Sequence, residues 1–399
     1  MTQRTKACMP RLTLLYCLQQ TAYFFAIAGV GAFAVTYLMD KGFAAAQVGM
    51  MLASTSILSC ALQPMLGSYV DRRSMSLLPR IILGFLITAL VSFSSIELFH
   101  PPLAMMGALF IIGSLCFSIT VPLSNSLCAY YSQNGCQIDY GMGAGIGSLS
   151  FSFSSLILGY IISGMGTSWM MAICLTVIAL EIILVLRYPK IESGASATRS
   201  SSAESSLSLP AFCRRYRRFL LTMLGVMCLA ACHAMAENYL IQVFGRIGGG
   251  SEHVGIALFL ACTTAAPLLL FFDKVQHRTG VVILLRLAGI FYVLKAVLLL
   301  FASSIVSVYL IELLQTFTYG FLYPPLYYLV GQRVAARDTA KGQTIASALY
   351  TLGTAMGNSL GGSVIDLMGL SSMLALAAGI AAAGTLLINF TIAKSDPQA

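Results

Sequence analysis

Apolar runs of about 20 residues recur from one end of this chain to the other, and that recurrence limits the fold more than any other feature. Such a run, wound as a helix, crosses a hydrocarbon core of about 30 Å and satisfies its own backbone there. The runs lie near 11–39, 44–70, 78–97, 102–128, 141–163, 169–187, 219–244, 253–272, 281–301, 305–331, 342–366 and 371–393. They predict an all-α membrane protein with twelve transmembrane helices. Charge agrees: the 399 residues carry 23 Lys+Arg and 14 Asp+Glu, where a soluble chain has about a quarter of its residues charged. The first run follows Arg4, Lys6 and Arg11 but is too long for a signal-peptide core, so it is read as a span.

The net charge of +9 invites a nucleic-acid reading, but its distribution opposes one. In the twelve-span arrangement, twenty of the Lys and Arg residues fall in one set of alternate loops and only Lys41 and Arg246 in the other, with Lys295 inside a span. This positive-inside bias places both termini in the cytoplasm and the protein in the cell membrane as a multi-pass protein. The run CRRYRR (Cys213 to Arg218) reads as a topology anchor beside the membrane, with the lipid bilayer as its partner and no nucleic acid. Most of the eleven cysteines fall inside spans. Cys228, Cys232 and His233 lack a fourth ligand and read as packing residues, so neither metal nor cofactor is expected. No GxSxG, HExxH or P-loop pattern is present, and no enzyme is predicted.

The stretch ESGASATRSSSAESSLSLP (Glu192 to Pro210) is a Ser-rich linker with six spans on either side. Residues 1–190 are expected to form an N-terminal six-helix bundle, 191–216 a cytoplasmic linker, and 217–399 a C-terminal bundle. The halves are faintly alike, with Gly141/Gly145 and Gly143/Gly147 entering the fifth span and Gly353/Gly357/Gly361 along the eleventh. Glycines four apart keep one helical face small, for static packing or for a sliding contact. Two pseudo-symmetric six-helix bundles are the layout of a transporter that rocks about a site at mid-depth.

Between the second and third spans lies GSYVDRRSM. It resembles the loop signature of the major facilitator superfamily, with Gly67, Asp71 and Arg72 matching and Ser74, Met75 and Ser76 standing where that signature has a glycine and two basic residues. The resemblance implies a conformational gate of Gly67, Asp71, Arg72 and Arg73, in which charge and helix-end contacts close the cytoplasmic side. Within the superfamily, YLMDKGFAAAQVGMMLASTSILSCALQPMLG (Tyr37 to Gly67), IDYGMGAGIGSLSFS (from Ile138) and GQRVAARDTAKGQ (Gly331 to Gln343) resemble the branch of lactose permease and related sugar and nucleoside proton symporters. The branch's sugar-binding arginine, carboxylate and stacking tryptophan fall on Ala144, Ser126 and Phe151, and its coupling histidine and glutamate roughly on Gln315 and Thr318. Lactose is therefore not expected as the substrate. The single tryptophan, Trp169, reads as an interfacial anchor.

Charged side chains at mid-bilayer cost about 2.5 to 3.5 kcal/mol each on insertion scales, so those the chain retains are functional candidates. His233 and Glu237 are four apart on the seventh span, with Asn238 adjacent. Glu312, Gln315, Tyr319 and Tyr323 form a polar stripe on the tenth. Gln20 and Tyr23 on the first span, Asn125 on the fourth and Asn358 on the eleventh complete the substrate-binding candidates, together with His233, Glu237, Asn238, Gln315 and Tyr319. First, fourth, seventh and tenth spans are the cavity-lining set that the resemblance implies. Lys295 on the ninth span lies at the depth of Glu312, either as an ion pair holding two helices or, with Glu312 and Glu237, as a proton-coupling group.

The leading expectation is a secondary active transporter that moves a small polar solute, a sugar or nucleoside, by alternating access coupled to protons, as a monomer. A drug or metabolite exporter of the same superfamily is the alternative. The proline of the exporters' fifth-span motif is missing from Ile138 to Gly164. A membrane enzyme, scaffold or receptor would need a catalytic constellation or soluble domain that the sequence does not show.

Overall fold

The computed structural model describes residues 3–73, 77–133, 136, 138–189 and 209–392, and every regular element among them is helical. Among these residues, eleven helices are long and apolar enough to cross a membrane. The remaining expected span is Thr339–Met368, a helix of 30 residues in which Lys341, Gln343, Asn358 and Asp366 dilute the apolar surface. By internal packing the chain divides into two units, Met1–Phe43 with Ile57–Arg199, and Ala44–Ser56 with Ser200–Ala399.

Unit 1 contains α1 (Gln3–Ile27), α2 (Ala34–Asp40), the second half of α3 (Ala45–Arg73), α4 (Leu78–Phe99), α5 (Leu103–Gln133), α6 (Tyr140–Met165) and α7 (Thr167–Leu186). α1 packs on α6 and α7, and α4 on α5 and α7. The glycines explain the closeness of α1 and α6: a β-carbon at Gly143 would run into the Tyr16 ring, and one at Gly147 would meet Phe24 at 2.5 Å. Gly141 and Gly145 take no part in that contact. The first span is not one continuous helix, because a π-helical turn at Ala28–Ala32 separates α1 from α2. Within that turn Gly29 lets the backbone approach Cys174 on α7, where a β-carbon would collide with the sulfur. At the far end of the unit, Lys41 pairs with Glu97 at 3.0 Å, and the Tyr37 hydroxyl donates to the same carboxylate at 2.6 Å.

Unit 2 contains the first half of α3, then α8 (Leu209–Arg215), α9 (Arg217–Asn238), α10 (Leu240–Arg246), α11 (Ser251–Leu270), α12 (Phe272–Thr279), α13 (Val281–Phe301), α14 (Ile305–Glu312), α15 (Gln315–Arg333), α16 (Thr339–Met368) and α17 (Leu370–Thr391). α9 packs on α16 and α17, and α13 on α15 and α17. This repeats the internal pairing of unit 1, with α9, α13, α15, α16 and α17 taking the places of α1, α4, α5, α6 and α7. Small residues again set the approach, since β-carbons at Gly353 and Gly357 would strike the backbone carbonyls of Met227 and Ala231 on α9. The tenth apolar run is broken at Leu313–Leu314, so Glu312 ends α14 and Gln315 begins α15. At the end of α10, Arg246 donates to the carbonyls of Leu299 and Ala302, at 2.9 and 3.2 Å, where the last turn of α13 leaves acceptors free.

Candidate functional site

The strongest concentration of charge lies inside unit 2. Lys295, on the buried side of α13 and 2% exposed, projects its ammonium toward three acceptors, one each on α9, α14 and α15. Nζ is 2.5 Å from Oε1 of Glu237 on α9, 2.8 Å from Oε2 of Glu312 at the end of α14, and donates to Oε1 of Gln315 at 3.0 Å. The three donors of an ammonium are thereby matched by three acceptors. Glu312 is fully buried, and its other oxygen, Oε1, has no hydrogen-bond partner among the described residues. Thr318 also donates to Gln315 Oε1, at 3.2 Å, fixing the amide from one turn along α15.

Two carboxylates thus share one cation. With both ionised the centre carries one net negative charge in a low-dielectric interior; with one proton added it is neutral. A buried ion group that is balanced only after taking up a proton is suited to carrying one. The pairing of Lys295 with Glu312 across the turn between α13 and α14 matches the spacing in sequence. The entry of Glu237 into the same cluster was not legible there, because it depends on which face of α9 turns toward α13.

An aromatic wall continues from this centre. His233, one turn before Glu237, lies face to face with Tyr319 at 5.7 Å between ring centroids and edge-on to Tyr292 at 5.9 Å. Tyr319 stacks on Tyr323 at 5.2 Å, and Tyr323 meets Tyr350 of α16 edge-on at 5.5 Å. The wall ends in a cleft lined by Tyr323, Tyr327, Tyr350, Gln343 and Ser347. Tyrosine faces with hydroxyl and amide groups at their edges offer stacking to a flat ring and hydrogen bonds to its substituents. His233 Nδ1 has no partner among the described residues. Tyr327, Tyr350 and Gln343 were missed in sequence; the signal for Tyr327 was its spacing from Tyr323 on one face of α15, while Gln343 and Tyr350 on α16 left none.

The remaining candidates fall elsewhere. Asn238 donates to the Asn358 side chain at 2.5 Å, and the Tyr239 hydroxyl donates to the Asn358 carbonyl at 2.8 Å, tying α9 to α16. Nearby, Asp366 near the end of α16 accepts from the backbone N–H groups of Ala45 and Ala46, at 3.2 and 2.7 Å, and so caps the start of α3. In unit 1, Gln20 donates to the Tyr16 hydroxyl at 2.9 Å and Tyr16 donates to Asn125 at 3.0 Å. Tyr23 is buried and stacks on Phe117 at 4.7 Å. The sequence points to Gly67, Asp71, Arg72 and Arg73 as a gate. The backbone of α3 runs through all four, while the side chains of Asp71, Arg72 and Arg73 lie outside the described residues.

Membrane-length helices throughout the described residues, two units that repeat one packing pattern, and charge buried at the heart of one of them are the layout of a membrane solute transporter. The chain belongs to the MFS_1 like family, whose model matches residues 16–375, and so to the major facilitator superfamily. It is similar to the maltose permease of Geobacillus stearothermophilus, with 25% identity over 356 residues, covering 87% of this chain and 84% of that protein. In fold it is similar to a crystal structure of a mutant of the nucleoside transporter NupG, at a TM-score of 0.82 and 14% identity, covering 96% of this chain and all of that one. An auto-inhibited peptide transporter of the POT family matches at a TM-score of 0.72 and 10% identity over 98% of this chain and 99% of that one.

Proposed function

We propose that this protein is a proton-coupled symporter that carries a small polar solute, a sugar or a nucleoside, across the cell membrane by alternating access. It works as a monomer with both termini in the cytoplasm. The observation that carries the reading is the sharing of Lys295 by Glu237 and Glu312 beside the His233–Tyr319–Tyr323 wall. One proton on the carboxylate pair balances the ammonium. Its release leaves an excess negative charge that favours hydration of the centre, so loading of the proton and of the ring on the adjacent wall are energetically linked. The names of the maltose permease and of the nucleoside transporter support the two substrate classes. Gly67, Asp71, Arg72 and Arg73 would form the cytoplasmic gate, while Gln20, Tyr16 and Asn125 form a polar network inside unit 1.

A thermal-shift screen of the detergent-purified protein tests the substrate class, because a ligand bound to the folded state raises its apparent stability. Maltose or uridine is expected to raise the melting temperature, with a stereoisomer of the active compound inert and the shift reduced in Tyr319→Ala. Shifts from lipophilic drug cations alone would overturn the reading in favour of an exporter.

A further inference from the structure

Unit 1 holds one buried acid that nothing in the Lys295 centre requires. Glu181, on α7, is 1% exposed, yet neither carboxylate oxygen has a hydrogen-bond partner and no cation is paired with it among the described residues. Its surroundings are neutral. The Gln19 amide and the Tyr23 phenol face it from α1, and Tyr188 approaches from just beyond the end of α7. Burial pushes the Tyr188 phenol above its ordinary value, so it remains a neutral donor. Among the described residues, other elements packed on α7 supply no compensating charge. Arg80 of α4, Arg187 and Arg11 are exposed, Tyr160 of α6 is exposed, and Glu97 of α4 is held by Lys41. That pair lies at the opposite end of α7, where Lys41 also meets Ser168 at 3.2 Å.

A carboxylate anion stripped of water, with a single amide facing it and no cation paired with it among the described residues, is strongly disfavoured, whereas the neutral acid is tolerated in such a place. Gln19 adds a route outward. It accepts from Tyr188 at 2.9 Å and donates to Ser124 of α5 at 2.8 Å. Ser124 precedes Asn125, which is joined through Tyr16 to Gln20. The Gln19 amide nitrogen has a second N–H, so an ionised Glu181 would draw that amide toward itself while it still bonds Ser124, and so would disturb the residues beside Asn125.

We infer that Glu181 is a second proton-binding site, separate from the Lys295 centre, which holds its proton as a neutral acid in this arrangement and passes its charge state through Gln19 and Ser124 to Asn125. Its use in the transport cycle rests on the proton-coupled reading above; its protonation does not.

Infrared spectra of the full purified chain, recorded as difference spectra between neutral and alkaline buffer, test it directly on wild type, Glu181→Gln, Glu181→Asp and Glu312→Gln. Wild type is expected to show a protonated-carboxyl stretch that is absent from Glu181→Gln, shifted in Glu181→Asp and retained in Glu312→Gln. Glutamine mimics the neutral acid, so Glu181→Gln should melt at the wild-type temperature in neutral buffer and resist the destabilisation that alkaline buffer brings to wild type. A wild-type spectrum without the band, or a band untouched in both Glu181 variants, overturns the inference. A band lost in Glu312→Gln and kept in Glu181→Gln overturns it too, while leaving the Lys295 centre as the proton carrier. Loss of fold in Glu181→Gln, with wild-type stability in Glu181→Asp and no protonated band in either Glu181→Asp or wild type, would mark an ionised structural carboxylate and likewise count against it.

Discussion

The two units pack their helices in the same pairings, but they handle buried charge in opposite ways. In unit 2 the ammonium of Lys295 is surrounded by acceptors, with Glu237, Glu312 and Gln315 all within 3.0 Å. In unit 1 the equivalent interior is filled by neutral hydrogen bonds among Tyr16, Gln19, Gln20, Ser124, Asn125 and Tyr188, and its buried acid Glu181 has no counter-ion among the described residues. One repeat has been specialised for shared charge and the other for a polar network. A common fold thus fixes where helices meet without fixing what chemistry occupies the contact.

The largest effect expected from disturbing this contrast follows Lys295→Ala. Removing the cation strands two carboxylates in the interior, and breaking a buried pair from one side costs about 3–5 kcal/mol. A sharp fall in thermal stability at neutral pH, eased by adding Glu237→Gln to the same chain, would establish that the charges are mutually neutralising. Equal stability of wild type and Lys295→Ala would show that they are not.

Helix approach comes next. Gly357→Val sets a side chain against the Ala231 carbonyl, backbone that cannot turn aside, while Gly143→Val meets the Tyr16 ring, which can rotate. Overpacking costs about 1–3 kcal/mol, with the α16 variant expected at the upper end and the α6 variant at the lower. Melting temperatures of the two purified variants rank them, and the reverse order would contradict the contrast in rigidity.

Tyr319→Ala should act on binding more than on folding. Loss of one aromatic stack is worth about 0.5–1.5 kcal/mol, or roughly 2- to 13-fold in Kd, read as weaker retention of whichever of maltose or uridine binds wild type. Smallest of all is Tyr16→Phe, which removes the donor to Asn125. A single net hydrogen bond contributes about 0.5–1.5 kcal/mol, so its melting temperature should fall only slightly and less than that of Lys295→Ala.

Much of this arrangement was legible in the amino-acid sequence, for physical reasons that also explain what was not. Span positions follow from hydropathy and length, and the proximity of Lys295 to Glu312 follows from equal depth on two helices joined by a short turn. The glycines of α6 and α16 announced close contact by their spacing, though Gly141 and Gly145 share the spacing without the contact. Local breaks were hidden: neither the π turn at Ala28–Ala32 nor the interruption at Leu313–Leu314 contains a proline, and Glu312 beside the latter reads as a buried functional charge before it reads as a helix end. Glu237 could be placed on a polar face but not against Lys295, since that needs the rotation of α9 relative to α13. Glu181 was available as a lone acid in the apolar run TVIALEIILVL (Thr176 to Leu186). The cost of a charge at that depth was the signal that could have singled it out.

The most direct measurement is solute accumulation in proteoliposomes under an imposed pH gradient, using maltose and uridine, for wild type, Glu237→Gln and Glu312→Gln. Wild type should concentrate one of the two solutes when the outside is acidic. The carboxylate variants should still exchange that solute across the membrane while failing to concentrate it. Accumulation of undiminished extent and pH dependence in both variants would contradict a coupling role for the carboxylates that share Lys295.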